Sequence, residues 1–267
     1  MPSAAEMLGE LPAAVCAVAD GVASLATAAG DLSREVPRSE WTAAEAAAHI
    51  AVTQSIFANL VRGGSHPFVG FEPGEYARVN ASLLEANPQR DPVGLARSIR
   101  DATREFLEAA NAPPGGDTYE SPLGRMPLAT LLSYSMCHML MHGHGLARAT
   151  RQHSPIVAQH ARLAMPFIEH ATGFAYAHKR LSGIDASIEF RLRGGQRFWI
   201  DFSPQRATVR YRGDGRADCH VVTDPVSFLL VAFDHAAPLG LVLRGQALAW
   251  GRRPWLALQL RGLLPGL

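Results

Sequence analysis

The stretch Ser135-Met-Cys-His-Met-Leu-Met-His-Gly-His144 constrains the fold of this chain more than any other. His138 and His142 stand four residues apart, so on a helix they project from one face, one turn apart. That placement suits two imidazole ligands of a single divalent metal ion. A third histidine closes the upstream stretch Trp41-Thr-Ala-Ala-Glu-Ala-Ala-Ala-His49 and could join them from a second helix. The pattern predicts a helical domain that holds a catalytic metal, with positions left open for water or a thiol.

An ordinary structural role for the histidine pair is the alternative, because alanine-rich helices carry histidines for many reasons. The helix motif of zinc proteases also has a Glu between its two histidines. Here Met139, Leu140 and Met141 fill the gap. The pair is therefore not a zinc-protease motif.

Composition indicates a packed globular protein. The chain has 267 residues, of which 48% are apolar and 18% charged, which is enough for two ordinary domains. A formal net charge of +1 gives no reason to expect a nucleic-acid partner, although arginines are frequent toward the C-terminus. We expect those arginines to lie on solvated surfaces.

Several features point to a cytoplasmic protein that does not associate with membranes. Cys16, Cys137 and Cys219 are too few and too scattered for a disulfide framework, which indicates a reducing compartment. The first residues are acidic where a secretory signal would be basic. The apolar run at 226–243 is broken by charged and helix-breaking residues before it reaches the roughly 20 residues of a membrane span. Lys179 is the only lysine beside many arginines and alanines, a pattern that suggests an actinobacterial source.

Helical periodicity dominates residues 1–180, which we predict to be one domain, a four-helix bundle. Thr42 and Glu45 fit a capping box at the start of the helix that carries His49. A small hairpin is expected around Gly124, between Thr118 and Arg125. The predicted helices span residues 5–29, 43 onward, 75–86, 93–110, 127–151 and 155–181.

Residues 181–267 are predicted to form a second, α+β domain with a mainly antiparallel sheet. After Gly183 the apolar residues alternate with polar ones, as in half-buried strands. Asp224 and Pro225 suit the cap and first position of a helix. The predicted strands lie near residues 188–192, 198–202, 207–211, 218–222 and 246–250, and the predicted helices near 225–235 and 254–264.

Motifs in both domains resemble those of a known family. They are Trp41-Thr42 ahead of His49, Leu123-Gly-Arg-Met-Pro127, His142-Gly-His-Gly-Leu-Ala-Arg-Ala149, and Val222-Thr-Asp-Pro-Val-Ser-Phe-Leu229 followed by Leu243-Arg-Gly245. With these motifs the chain resembles actinobacterial proteins related to mycothiol-dependent maleylpyruvate isomerase. That group is a branch of the DinB-like metal-binding four-helix bundles with a C-terminal domain of the sterol-carrier type.

The resemblance implies a metal site with one departure from the family pattern. His49 and His142 occupy the two ligand histidine positions, whereas His138 stands where a ligand Glu is expected. Zinc, the preferred metal, would keep a charge of +2 among three neutral imidazoles, against +1 with a carboxylate. It should therefore bind a thiolate or hydroxide more strongly.

A second departure lies beside the ligands. Relatives usually have Asp at the position of Gly145, and Trp or Tyr at the position of His144. An acidic group that would orient a ligand histidine is thus missing or supplied from elsewhere. Maleylpyruvate itself is not the expected substrate.

The resemblance implies an enzyme of thiol chemistry, acting as a monomer or homodimer on a small-molecule substrate. The metal would hold the sulfur of mycothiol, a low-molecular-weight thiol, as a thiolate that adds to an electrophilic carbon. The outcome is a conjugate, as in an S-transferase, or a cis–trans isomerisation. His144 is a candidate acid or base and Arg244 a candidate anion binder. A surface role is the alternative for each of them.

Two other functions stay open. The same metal could activate water, which would make the protein a hydrolase or lyase. A non-catalytic binder would hold an apolar small molecule in the second domain, and ordinary core packing is the alternative role for the residues that would line its cavity. Those residues are Phe228, Leu229, Val231, Leu241 and Trp250.

Overall fold

A computed structural model describes residues 4–68, 73–112, 117–177, 185–204, 206–213 and 216–259. The chain divides into two compact units, Pro2–Ile156 and Val157–Leu267. The domain boundary predicted after residue 180 falls at residues outside the described ranges, so it stays a prediction.

The first unit contains the predicted helical bundle. Its helices are α1 (Ala4–Ala28), α2 (Ala43–Val61), α3 (Pro73–Ala86), α4 (Pro92–Asn111) and α5 (Leu128–Ala149). Both α1 and α2 pack against α4 and α5, and α3 packs on α2. Tyr119 and Met126 form an antiparallel bridge, with Gly124 at φ 81° in the turn, which confirms the predicted hairpin.

One helix in the described ranges, over Glu6–Ala28, is long and apolar enough to cross a membrane by length and composition. Core helices of soluble bundles meet the same criterion. Here Leu11, Val15 and Val22 are fully buried along one side of α1, which packs on α4 and α5. The apolar composition of α1 is thus used in part for packing within the bundle.

The second unit is built on a five-stranded sheet. Its elements are α6 (His160–Leu163), α7 (Met165–Ala177), β1 (Ala186–Leu192), β2 (Arg197–Ser203), β3 (Arg206–Arg210), β4 (Cys219–Thr223), α8 (Pro225–Ala232), α9 (Pro238–Leu243), β5 (Ala247–Trp250) and a 3₁₀ helix (Pro254–Gln259). The strand order is β3-β2-β1-β4-β5, and only the β1–β4 pair is parallel. The prediction of a mainly antiparallel sheet is therefore confirmed.

Alternation along the strands divides the sheet into two faces. On one face the rings of Phe190 and Phe198 stack at 5.0 Å, and Phe228 of α8 meets both rings edge-on. Glu189 and Arg191 point to the other face. Asp224 caps α8 by accepting from the backbone N–H of Ser227, as predicted.

Two predicted helices differ from the structure, and one helix of the structure was not predicted. The single helix expected over 155–181 is wrong, because residues 151–159 form turns and α6 and α7 are separate helices. Pro166 accounts for the separation of α6 from α7, since it lacks the N–H that would continue the helical hydrogen bonds past Ala164. Helix α9 was not predicted. The helix expected over 254–264 is a 3₁₀ helix to Gln259, and the rest of that prediction lies outside the described residues.

Candidate metal centre

The three predicted histidines lie together in the helical bundle. His49 comes from α2 and is 6% exposed, while His138 and His142 of α5 are half-buried. The Nε2 atoms of His49 and His138 are 3.0 Å apart, and the candidate ligand nitrogens all lie within 4.8 Å of one another. The ring centroids form a nearly equilateral triangle with sides of 4.9, 4.7 and 4.5 Å.

Local structure fixes the direction of both helices that carry these rings. The Thr42 hydroxyl accepts from the backbone of Glu45, whose carboxylate accepts from the backbone of Thr42, so the predicted capping box starts α2. Farther along, the Ser135 hydroxyl of α5 donates to the Gln54 carbonyl of α2 at 2.7 Å, and both residues are fully buried. This cross-helix bond lies about one turn from the ligand residues of each helix and sets their register.

Electrostatics keep the histidines in the form that binds metal. Burial lowers the pKa of His49 and of His138 well below the ordinary value, and the neighbouring His142 lowers both further. The imidazoles of His49 and His138 are therefore neutral at pH 7. A neutral imidazole offers one ring nitrogen as a lone-pair ligand, as metal coordination requires.

The geometry fits a metal ion. Tetrahedral zinc with Zn–N bonds of about 2.0–2.1 Å places neighbouring nitrogens about 3.3 Å apart, close to the 3.0 Å between His49 and His138. The Nδ1 atom of His138 is buried, and the described residues give it no hydrogen-bond partner. Leaving a buried ring nitrogen unpaired costs about 1–3 kcal/mol. The nitrogen that faces His49 is instead Nε2, so the case for a ligand set rests on the spacing of the ligand atoms and not on this unpaired Nδ1.

Trp41 belongs to this site, although the sequence analysis used it only as part of a motif. Its ring centroid lies 4.6 Å from that of His49 and 5.7 Å from that of His142. The sequence signal that could have found it is its place directly before the Thr42 cap of the ligand-bearing helix. Phe57 contacts the His138 ring edge-on at 6.4 Å. Aromatic rings thus enclose the triad on two sides.

The structure does not bring the two other candidate residues into the triad. His144 is half-buried, and its Nδ1 lies 2.9 Å from the Ser154 hydroxyl. Burial, with Arg148 nearby, lowers the pKa of His144. Arg244 is in the second unit, where its Nε donates to the Gln246 side chain at 3.0 Å. Their roles as acid or base and as anion binder stay predictions.

Gly145 has a steric reason to be glycine. A Cβ at this position would lie 2.8 Å from the Cγ1 atom of Val36, closer than side-chain carbons approach one another. An Asp there would therefore have to displace the Val36 side chain. The missing acidic group predicted from the sequence coincides with a close packing contact.

Comparison with known proteins identifies the family of the helical unit. Residues 11–147 match the family model described as the mycothiol maleylpyruvate isomerase N-terminal domain, just over half of the chain. The chain belongs to this family.

Solved structures extend the likeness to most of the chain. A crystal structure of mycothiol-dependent maleylpyruvate isomerase superposes with a TM-score of 0.55 at 13% identity, covering 88% of this chain and 90% of that one. A histidine-to-alanine variant of that isomerase gives a TM-score of 0.58 at 11% identity, with the same coverage. The similarity confirms the predicted fold, a helical domain followed by an α+β part.

Two other comparisons add little. A ubiquinone synthesis protein, UbiJ-SCP2, matches 40% of this chain and 90% of its own at 20% identity, with a TM-score of 0.28 that is too low to support an argument. No curated protein matches the chain.

Proposed function

We propose that this family member is a metal-dependent enzyme that uses a thiol cofactor, mycothiol, to attack an electrophilic small molecule. The reaction is thiol transfer or cis–trans isomerisation. The convergence of His49, His138 and His142 from two helices is the observation that carries this proposal. Three histidine ligands would leave a fourth position of a tetrahedral ion for a further ligand, as catalytic metal sites require.

The histidines and the neighbouring Trp41 have different roles in this centre. His49 and His138 are neutral and present their Nε2 atoms to a common point, so they need not lose protons at pH 7 to bind a cation. Trp41 packs at a tilt against both His49 and His142 and restricts the rotation of both rings. When bound, a divalent ion, with zinc preferred, would act as a Lewis acid that lowers the pKa of a thiol or water at its open position.

The choice of a thiol rests on family membership. The family carries mycothiol in its name, and the match spans all three histidines, since residues 11–147 include them. Three imidazole ligands add no negative charge to the centre. A cation among them keeps its full +2 charge and so favours an anionic sulfur ligand.

The test combines metal analysis with thiol-dependent turnover. We expect about one equivalent of metal per chain in the purified protein, and none in His49→Ala. Consumption of an electrophile such as 1-chloro-2,4-dinitrobenzene should require both the metal and mycothiol. His153→Ala is the matched control, because His153 is an exposed histidine of the same unit. Full activity of His49→Ala would refute the proposal.

Water activation is the second candidate, favoured by the same donor set, because three neutral imidazoles suit a hydrolytic metal as well. Turnover of an ester or amide in thiol-free buffer, lost on metal removal, would select it.

The apolar-binder alternative gains no support from the sheet unit. Its apolar cavity, lined by Phe228, Val231 and Leu241, has a volume of about 30 Å³. Pockets that hold small molecules are typically about 300–1,000 Å³.

We also propose that the protein works in the cytoplasm on small molecules, without nucleic-acid or membrane partners, as a monomer or homodimer. Size-exclusion chromatography with light scattering and cell fractionation test these points. Recovery of the protein mainly in the membrane fraction would contradict the proposed absence of a membrane partner.

A further inference from the structure

The face of the sheet that carries Glu189 presents two rows of side chains across the strands. The central row has one residue from each strand, in the order Arg210, Trp199, Glu189, His220 and Trp250. Beside it runs a second row, Arg197, Arg191, Val222 and Leu248, contributed by β2, β1, β4 and β5. Partners in register on paired strands share one face, so these nine side chains lie together, with Glu189 and Trp199 buried among them.

Glu189 is the anchor of this surface. Its side chain is 0% exposed, and its carboxylate accepts two bonds from Arg191, at 2.9 and 3.0 Å. It also accepts from Nε of Arg197 and contacts Nδ1 of His220. Burial opposes ionisation, but the bonds from Arg191, His220 and Arg197 outweigh it and lower the Glu189 pKa to about 2. The carboxylate is therefore charged at neutral pH, and both of its oxygens have partners on neighbouring side chains.

The cluster has one positive charge more than it has negative ones. Arg191 and Arg197 are direct cross-strand partners, and like charges placed opposite one another destabilise a sheet. Glu189 neutralises only one of the two guanidinium groups. The arginine side chains are 43% and 45% exposed, so the surplus charge faces solvent.

Donors on both arginines are left unused. Within the described part of the chain, the two Nη atoms of Arg197 and the Nη1 atom of Arg191 donate no hydrogen bond. Stacking also fixes the guanidinium planes, since Arg197 lies 4.6 Å over the Trp199 ring and Arg191 5.4 Å over the Trp250 ring. Fixed, unpaired guanidinium donors are well suited to a planar oxyanion.

At the β4 and β5 end of this face, both rows end in apolar side chains that form a patch. Leu248 is 60% exposed and Trp250 is 37% exposed, and Val222 lies between Leu248 and Arg191. Neighbouring strands are about 4.8 Å apart, so the patch begins within about 10 Å of the arginines. A ligand with an anionic head and a short apolar tail would match both ends of the row.

We propose that this face of the sheet is a binding site for a small amphipathic organic anion, with its oxyanion on Arg191 and Arg197 and its apolar part on Val222 and Leu248. The site lies wholly in the second unit and goes beyond the proposed metal chemistry. Its test does not use turnover, so it can fail or succeed independently of the metal centre.

The experiment is an NMR titration of the full chain labelled at its tryptophan indoles, at constant ionic strength. Acetate, phosphate and hexanoate are the probes. We expect saturable shifts of the Trp199 and Trp250 indole signals, with those of Trp41 and Trp255 unchanged. Hexanoate should bind about tenfold tighter than acetate, because burying about two of its extra methylenes gives that factor. Comparison of acetate with phosphate identifies the preferred oxyanion.

Two variants and one control decide the outcome. Arg197→Gln should weaken binding of all three probes by about tenfold or more, since a charge-assisted bond is lost. Leu248→Ser should abolish the preference for hexanoate and leave acetate binding unchanged, and it alters only an exposed side chain. Arg206→Gln, an exposed arginine at the far end of the same face, is the control and should change nothing. Shifts that do not saturate, or equal losses in Arg206→Gln and Arg197→Gln, would overturn the proposal.

Discussion

Replacement of His138 by leucine should separate the function of the triad from its effect on stability. In the metal-free protein the substitution removes a buried Nδ1 atom that has no partner among the described residues, a relief of about 1–3 kcal/mol. It also removes the 3.0 Å contact with His49, which contributes about 1 kcal/mol. The metal-free variant should therefore be about 0–2 kcal/mol more stable than the wild-type chain.

With metal bound, the wild-type chain should become more stable than the His138→Leu variant. Binding to the folded state alone contributes about 2.7 kcal/mol when free metal is about 100 times Kd. For a chain of this size that corresponds to a rise of about 5–10 °C in the midpoint of thermal unfolding. The His138→Leu variant, with two histidines left, should show almost none of this rise.

Thermal unfolding followed by circular dichroism, with chelator and with zinc, measures both effects. His144→Leu on the same helix is the control, and it should keep the metal-dependent rise because His144 contacts Ser154 rather than the triad. A metal-free His138→Leu variant that is destabilised by more than about 2 kcal/mol, together with no metal response in the wild type, would show that the triad is a structural element of the core.

Three further substitutions test the framework. Gly143→Ala should destabilise the bundle by about 1–2 kcal/mol in urea unfolding, because its Cβ would lie 2.7 Å from Val22 and the overpacking exceeds the gain of about 1 kcal/mol in helix propensity; Val22→Ala in the same chain should restore most of the loss. Thr42→Ala should cost about 1 kcal/mol by removing the cap of α2, whereas an unchanged urea midpoint would contradict that role. For Glu189, a pKa lowered from 4.5 to about 2 means that up to about 3 kcal/mol of stability is present above pH 4.5 and is lost as the pH falls toward 2. Glu189→Gln should remove that acid-dependent loss, and an acid profile identical to that of the wild type would refute it.

Short-range signals made much of the fold predictable from sequence. The capping box at Thr42 and the Asp224-Pro225 helix start act within a few residues, and both are present in the structure as predicted. The histidine pair on α5 needed only helical spacing. The alternation along β1 and β2 fixed their faces, because a strand has a period of two.

Long-range contacts were beyond sequence reasoning. The parallel pairing of β1 with β4 depends on a crossover that no local pattern specifies. The surface around Glu189 needed the register of four strand pairs before its nine residues could be placed together. The separation of α6 from α7 escaped prediction because apolar periodicity continues across Ala164, whereas the break arises from the N–H that Pro166 lacks.

Residues 35–42 order the site around the three histidines without an acidic side chain at position 145. The backbone N–H of Val36 donates to the Trp41 carbonyl at 2.8 Å, and Glu35 bridges Thr42. Val36 rests against Gly145, where a Cβ would not fit.

The same short segment thus caps α2, presents the Trp41 ring to His49 and His142, and packs on α5 at Gly145. Close packing and the tilted Trp41 ring therefore restrict the histidine rings without an acidic side chain. Neither of these contacts adds negative charge, and a histidine at 138 adds none either. A cation held by the three histidines would keep its full charge, which supports the proposed binding of an anionic ligand such as a thiolate.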